Sequence, residues 1–426
     1  MQRWPYGPTV PIYQIGALGD RRAEQSRRPH GTAPGGRLAG VERAICSPVR
    51  CGRAAQPSYW NHRSAATRGA IRGRGLPCDS YVRGRTHLGH TALVGVDIDA
   101  LQRRAEAEGR ECVVGAVILD AEGRAFTARR VSTAPMLPGL WDLVGGHVEA
   151  GESLLTALKR EVAEETGWLA RGEPVLVFVS DWESTDDGRR RRHREFDFFV
   201  DVTGELSAPR LQPDEHQDFR WVHQKALALF NENEGRDGGL VRRAVDVGLR
   251  CADRGNLTYP HVTLFVPEPA ATEIDRLRQL WDPAMAIQIA PHLTVSYPDE
   301  LATLEAALAF INLAARQVSG CEARLGNLMH DGNPADGVFV EVDDVMGMWG
   351  RLRHMAVADS GGAAHEVSPH VTLVHPRTSA LGELAWAELS AVEWASPRLD
   401  FTSIAVTAFD GRRWRTVAER SLGDGS

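Results

Sequence analysis

The stretch GHVEAGESLLTALKREVAEETGW, residues 146–168, decides how the middle of this chain folds. Its leucines and Val162 recur at steps of three and four residues, which predicts a helix over residues 153–166 with one apolar face. Ser153 can begin this helix, and Gly167 ends it because glycine readily adopts the left-handed conformation of a helix C-terminus. Charged side chains occupy the other face of the helix.

Three acidic side chains crowd that other face. Glu161 lies three residues before Glu164 and four before Glu165, so all three share one side of a helix. Such carboxylates repel one another unless a cation lies among them, and their hard oxygen atoms suit Mg²⁺ or Mn²⁺. Residues 140–146 (LWDLVGG) predict a strand that ends in a glycine turn, where backbone can approach a ligand. The alternative is a solvated helix that is only acidic.

This stretch resembles the Nudix box, G-x5-E-x7-R-E-U-x-E-E-x-G-U, and fills every fixed position except the last, where Trp168 replaces a bulky aliphatic residue. Val144 stands where many members carry proline. The resemblance implies an α/β/α sandwich that hydrolyses a nucleoside diphosphate linked to another moiety. It also implies a set of site residues: the side chains of Glu161, Glu164 and Glu165 and the backbone of Gly146 as metal ligands, with Arg160 orienting Glu152.

The general base of such a reaction is left open by the sequence. Divalent cations would neutralise phosphate oxygens and activate a water, and a protein group must take the proton of that water. Some Nudix enzymes use a glutamate of the box, here Glu161, and others use one on a later loop. Glu215, in the segment PDEHQDFRWV, is the later candidate, and an ordinary surface acid is the alternative.

The flanking sequence predicts an α/β domain over residues 110–250. Residues 112–119 and 125–131 predict a hairpin around the turn Asp120-Ala-Glu-Gly, and residues 174–179, 195–202 and 219–222 predict further strands. Helices are expected near residues 225–231 and 240–249. The basic run RRRRHR, residues 189–194, could touch a polyphosphate or RNA as a hairpin tip; the alternative is a solvated loop.

A repeated motif after residue 256 indicates a second catalytic site. The segments APHLTVSYP and SPHVTLVHP place His292 with Thr294, and His370 with Thr372, on two short strands 78 residues apart. A histidine and a threonine two apart on a strand point to the same side. Two such strands from duplicated halves can face each other across a cleft, where one imidazole acts as base, the other as acid, and the hydroxyls hold phosphate oxygens.

The repeated motif resembles the two H-x-T/S motifs of the 2H phosphoesterase superfamily, which includes 2',3'-cyclic nucleotide phosphodiesterases and 2',5' RNA ligases. The resemblance covers residues 257–422 and implies a duplicated α+β domain that needs no metal. A third copy, His261-Val-Thr263, lacks a preceding strand and helix, so we expect His261 to be a structural residue on the first strand. His375 is a weaker candidate for the cleft.

Residues 1–92 differ from the rest in composition. The first 90 residues hold 15 arginines, no lysine and four acids, a net charge of +11, together with 13 glycines and eight prolines. This composition predicts a disordered arm. Its charge and its aromatic residues Trp4, Tyr59, Trp60 and Tyr81 could attract RNA; a tail without a dedicated role is the alternative.

The whole chain is predicted to be a cytoplasmic α/β (α+β) enzyme of two folded domains. No apolar run reaches the 18 or so residues of a membrane span, and the six cysteines form no C-x2-C pair, which favours reduced thiols. The expected ligands are Mg²⁺ or Mn²⁺, a nucleoside diphosphate derivative, and RNA ends or a cyclic-phosphate nucleotide. The competing interpretation is a nucleotide- or RNA-binding regulatory protein in which one domain recognises its ligand without cleaving it.

Overall fold

The computed structural model describes residues 14–16, 96–186, 188–252, 258–298, 300–301, 303–358, 365–392 and 396–423. Within the N-terminal arm it describes one short strand, β1 (Gln14–Gly16). The remainder of the predicted disordered arm, including its four aromatic residues, lies outside the described residues.

The first domain alternates strands and helices around the predicted acidic helix. Its elements are α1 (Ile98–Ala107), β2 (Glu111–Ile118), β3 (Ala125–Arg130), β4 (Trp141–Asp142), β5 (Val144–His147), α2 (Leu154–Thr166), β6 (Leu169–Asp186), β7 (Arg189–Thr203), β8 (His216–Val222), a 3-10 helix (Gln224–Glu232), α3 (Glu234–Asp237), α4 (Leu240–Leu249) and a short 3-10 helix (Arg250–Ala252). The helices predicted near residues 153–166, 225–231 and 240–249 are confirmed, the middle one as a 3-10 helix.

A five-stranded sheet of order β1-β6-β7-β2-β5 forms the centre of this domain, and β4-β3-β8 form a smaller sheet. Alternate residues of β2 point to opposite faces of the sheet. Val114 and Ala116 pack against the apolar face of α2, and Val117 packs against α4 on the other side. The central sheet therefore lies between two helices, which confirms the α/β/α sandwich.

Two local predictions for this domain need correction. The hairpin around Asp120 is limited to one antiparallel bridge, Leu119 opposite Ala125, because β2 then joins the five-stranded sheet and β3 joins the smaller one. Residues 140–146 form two short strands of different sheets, with both glycines inside β5 instead of in a turn. The basic run begins at the tip of the β6–β7 hairpin, as predicted, with Arg189 opposite Asp186. It continues along β7, where Arg190 pairs with Glu183 and its neighbours with other acids.

The second domain is built on one eight-stranded sheet. Its elements are β9 (Thr258–Phe265), α5 (Ala270–Trp281), α6 (Pro283–Gln288), β10 (His292–Ser296), α7 (Leu304–Gln317), β11 (Cys321–Met329), a 3-10 helix (Pro334–Asp336), β12 (Val338–Asp343), α8 (Met348–Val357), β13 (His370–Val374), α9 (Gly382–Leu389), β14 (Arg398–Phe401), β15 (Ser403–Phe409) and β16 (Trp414–Ser421). The strand order is β14-β11-β12-β13-β10-β9-β15-β16.

The duplication predicted from the sequence is visible in this order. Each half supplies a strand, a helix and then a motif strand: β9, α5 and β10 in the first half, and β12, α8 and β13 in the second. The two motif strands are direct antiparallel neighbours, with Leu293 opposite Val371. The prediction that they face each other across a cleft is therefore wrong, because both belong to one sheet.

The two domains pack together within one compact unit. The guanidinium of Arg104 donates to the carbonyl of Leu280 (2.6 Å) and lies over the ring of Trp281. Val179 of β6 exchanges backbone hydrogen bonds with Thr378 and Ala380. None of the described helices is long and apolar enough to cross a membrane.

Candidate active sites

The ends of α2 place the acidic residues as the sequence predicts. The hydroxyl of Ser153 accepts a hydrogen bond from the backbone N–H of Thr156, and Gly167 adopts a left-handed conformation (φ 71°) as the C-terminal cap. Between these caps one face of the helix is buried against the sheet, and Glu165 lies at the edge of that buried face. The local sequence therefore determines where the helix that carries the box begins and ends, and which of its faces packs against the sheet.

Arg160 connects four parts of the box. Its guanidinium donates two hydrogen bonds to Glu152 (3.1 and 2.9 Å), one to Glu161 (2.7 Å) and a longer one to Glu164 (3.3 Å). It also donates to the backbone carbonyl of His147 (3.1 Å). The hydrogen bond from Arg160 lowers the pKa of Glu152. The geometry matches the predicted pairing of Arg160 with Glu152, since a bidentate contact fixes the carboxylate plane.

The glutamates of the helix differ in exposure. Glu165 is 1% exposed and accepts a hydrogen bond from the backbone N–H of Gly145 (3.0 Å), whereas the side chain of Glu164 is 50% exposed. Burial raises the pKa of Glu165 to about 10, and burial also raises the pKa of Glu161. Ionisation of these two buried carboxyls therefore costs free energy unless a cation lies beside them.

Glu215 joins the same cluster from the start of β8. Its carboxylate lies against that of Glu165, and the ligand atoms of Glu165, Glu215 and His216 are all within 4.8 Å of one another. His216 was not a predicted site residue. Both of its ring nitrogens are buried without a hydrogen-bond partner among the described residues. The only sequence signal for it was its position next to Glu215.

This cluster fits a hard divalent cation. Five glutamates, counting Glu152, lie around Arg160 and Glu165. Burial raises the pKa of Glu165, and it raises that of Glu161 even though Arg160 donates a hydrogen bond to it. Gly146 passes so close that a Cβ atom there would lie 2.4 Å from Oε1 of Glu161. The absence of a side chain at Gly146 thus lets its backbone lie against the carboxylate of Glu161.

The second candidate site lies on one face of the eight-stranded sheet. Leu293 and Val371 are paired and buried on the core side, so alternation places His292, Thr294, His370 and Thr372 together on the opposite face. In this antiparallel register each histidine lies across from the threonine of the other motif. The tertiary structure thus brings all four predicted residues together.

Both motif histidines are held in the same way. Nδ1 of His292 lies 2.8 Å from the carbonyl oxygen of Ala290, and Nδ1 of His370 lies 2.8 Å from that of Ser368. Because a carbonyl can only accept, each Nδ1 carries the proton, and each neutral ring keeps a lone pair on Nε2. Burial lowers the pKa of both histidines, that of His292 well below its ordinary value of 6.5.

His261 lies on the first strand, β9, as predicted, but it also contacts the motif. Its Nε2 is 3.1 Å from the hydroxyl of Thr294, and its ring centroid is 5.0 Å from that of His292. Burial lowers the pKa of His261 to about 3, so it is a neutral partner of Thr294. His375 lies one residue beyond β13, and its Nδ1 accepts a hydrogen bond from the backbone N–H of Arg377.

Arg278 of α5 is a residue that the sequence did not single out. Its fully buried guanidinium donates to the carbonyl of Thr372 (2.8 and 2.7 Å) and to that of Ile289 (3.1 Å). It therefore ties the second motif strand to the residues that lead into the first. Arg278 lies four residues after Ile274 and three before Trp281, so the helical spacing of α5 places it on the buried face, and this spacing is the sequence signal that could have identified it.

Known protein families match the chain in both halves. A family model described as "NUDIX domain" matches residues 109–243, and one described as "2'-5' RNA ligase superfamily" matches residues 266–413. The nucleoside triphosphatases NudI of Salmonella heidelberg (strain SL476) and Salmonella agona (strain SL483) are each 30% identical over 131 residues, which cover 29% of this chain and 90% of those proteins. A MutT NUDIX hydrolase from Burkholderia pseudomallei is 28% identical, covering 28% of this chain and 84% of that one, with a TM-score of 0.23.

The sandwich with its filled acidic box defines a Nudix hydrolase domain, and the duplicated sheet with its paired His-x-Thr strands defines a 2'-5' RNA ligase-like domain. The chain belongs to the Nudix hydrolase family through residues 109–243, and its residues 266–413 form a domain of the 2'-5' RNA ligase superfamily.

Proposed function

We propose that the first domain hydrolyses a nucleoside diphosphate linked to another moiety, with Mg²⁺ or Mn²⁺ bound by Glu161, Glu164, Glu165 and the backbone of Gly146. The observation that carries this proposal is the burial of Glu165 beside Glu161 and Glu215, because burial and these two neighbouring carboxyls raise its pKa. When bound there, a divalent ion neutralises phosphate oxygens and makes a coordinated water more acidic. Such hydrolysis would release a nucleoside monophosphate and the phosphorylated remainder.

The side chains around the cluster supply the remaining roles. Glu215 is the better placed general base, because it enters from the turn before β8 and contacts the buried Glu165, whereas Glu161 is engaged by Arg160. Arg160 donates two hydrogen bonds to Glu152 and so fixes the orientation of its carboxylate. A proton that leaves the attacking water passes to the carboxylate of Glu215.

The substrate of this domain is proposed from its relatives. Nucleoside triphosphates are nucleoside diphosphates linked to a phosphate, and the proteins that share 30% identity are named nucleoside triphosphatases. Turnover of a panel of nucleoside triphosphates, nucleotide sugars and dinucleoside polyphosphates tests this proposal. We expect cleavage of at least one class that requires Mg²⁺ or Mn²⁺ and yields a nucleoside monophosphate; binding without cleavage of any class would favour the regulatory alternative.

For the second domain we propose phosphodiester chemistry on a cyclic phosphate or a 2',5' linkage, carried by the paired motifs. Nε2 of one imidazole takes a proton from the attacking hydroxyl or water, and Nε2 of the other gives a proton to the leaving oxygen. The hydroxyls of Thr294 and Thr372 face the same surface and donate to phosphate oxygens. A substrate that carries both bonds, such as cyclic-phosphorylated ADP-ribose or a capped RNA fragment, would explain the fusion.

The pH dependence of this second activity follows from the histidine environments. Catalysis needs one neutral and one protonated imidazole, and burial lowers the pKa of both His292 and His370. A lowered pKa means that the protonated form is lost at a lower pH than for free histidine. We expect a bell-shaped profile of kcat/KM for a 2',3'-cyclic nucleotide with its maximum below pH 6.5. A maximum well above pH 7 would contradict the arrangement of acid and base.

A further inference from the structure

Three side chains on adjacent strands of the first domain form a separate cluster. Glu111 of β2, His147 of β5 and His193 of β7 are brought together by the pairing of these strands, since Glu111 lies opposite His193 and His147 lies opposite Val113. Oε2 of Glu111 is 3.9 Å from Nε2 of His147 and 3.8 Å from Nδ1 of His193. One ligand atom of each residue lies within 4.8 Å of the other two.

The ring of His193 is oriented as a metal ligand would be. It is only 1% exposed, and its Nδ1 has no hydrogen-bond partner within the described part of the chain. The other nitrogen, Nε2, lies 2.8 Å from the hydroxyl of Ser184, and the indole of Trp182 stacks on the ring at 3.9 Å. When Nε2 donates its proton to Ser184, the lone pair of Nδ1 points at Glu111. A metal-bound histidine is typically held through its second nitrogen in this way.

The other two ligands leave room for exchange with solvent. One oxygen of Glu111 is 2.8 Å from Arg191, which leaves Oε2 facing both rings. The side chains of His147 and Glu111 are 51% and 42% exposed. Tetrahedral zinc, with bonds of about 2.1 Å, separates its ligand atoms by roughly 3.4 Å. Movements of about half an ångström bring Glu111 to this separation from each histidine, and the two histidine nitrogens, which lie within 4.8 Å of each other, close by at most roughly 1.4 Å.

We propose that Glu111, His147 and His193 bind a divalent transition metal ion of the zinc class, with solvent or a ligand at its open position. Two imidazoles and one carboxylate suit Zn²⁺ or Co²⁺, and not Mg²⁺, which prefers an all-oxygen shell. The site is distinct from the acidic cluster. Gly146 lies against Glu161, and the next side chain along β5, His147, points to the other face of the strand.

The experiment uses Co²⁺ as the probe, because its absorption spectrum reports ligand geometry. The tag-free full-length protein is titrated with Co²⁺ under saturating Mg²⁺, which occupies the oxygen-rich cluster first. We expect one equivalent to bind with the intense visible bands of four-coordinate Co²⁺, and added Zn²⁺ to displace it. His147→Ala and Glu111→Gln should each weaken binding at least about tenfold.

Two controls separate this site from the box and from loss of folding. Glu165→Gln, within the acidic cluster, should leave Co²⁺ binding unchanged, as should His354→Ala, an exposed histidine of the second domain. Zn²⁺ should raise the thermal midpoint of the wild type but not that of His147→Ala, whose starting midpoint reports whether it folds. The proposal is overturned if no Co²⁺ binds in the presence of Mg²⁺, or if His147→Ala and Glu111→Gln bind it as tightly as the wild type.

Discussion

Glu165→Gln is expected to lower nucleotide hydrolysis by about 10³-fold, which corresponds to about 4 kcal/mol of lost transition-state stabilisation. The substitution keeps the shape of the side chain and leaves an oxygen to accept from Gly145, but it removes the charge that holds a cation. Steady-state rates at saturating Mg²⁺, on a substrate that the panel identifies, measure the effect.

The same variant is expected to be more stable than the wild type when metal is removed with a chelator. Burial raises the pKa of Glu165 to about 10 in the folded state, so the folded protein binds a proton that the unfolded chain releases above its ordinary pKa of 4.5. The free energy of unfolding therefore falls as the pH rises above 4.5. Glutamine does not titrate, so the variant does not lose this stability. Urea unfolding at pH 7 compares the two proteins.

Glu173→Gln provides the matched control, because Glu173 is an exposed glutamate of β6 in the same domain. It should change neither the rate nor the metal-free stability. If Glu165→Gln retained wild-type turnover while remaining folded, the assignment of the helix face as a metal-dependent hydrolytic site would fail.

His292→Ala and His370→Ala are each expected to reduce opening of a 2',3'-cyclic nucleotide by about 10²–10⁴-fold, the range for loss of a positioned acid or base. The double variant should be little worse than the poorer single variant, because the two imidazoles act as one unit. Hydrolysis by the first domain should be unaffected, since neither histidine lies in the Nudix box. Rates of both reactions, measured on the same full-length preparations, test these expectations.

The control for this pair is His354→Ala, an exposed histidine of α8 within the same domain. Its cyclic-nucleotide activity should equal that of the wild type. Wild-type opening by both His292→Ala and His370→Ala would rule out the paired-histidine mechanism, while normal activity of the first domain would show that the proteins had folded. The outcome for one domain thus leaves the proposal for the other intact.

Prediction from sequence succeeded where the determining interactions are close in the chain. The helix from Leu154 to Thr166 depends on apolar periodicity and on caps at Ser153 and Gly167, all within one short segment. The two halves of the second domain were visible as a repeated order of strand, helix and motif. Local periodicity does not specify which strands pair, so the hairpin expected around Asp120 extends over only one bridge before its strands join different sheets.

The sequence by itself determined the acidic helix, the fixed positions of its box, the repeated His-x-Thr strands and the division into two families of domain. Only the tertiary structure decided that Glu215 and His216 meet Glu165, that the two motif strands are neighbours in one sheet, and that Arg278 links them. It also decided that Glu111, His147 and His193 converge. The physical reason is that these contacts join residues far apart in the chain, and their geometry depends on strand register and on packing of the whole domain.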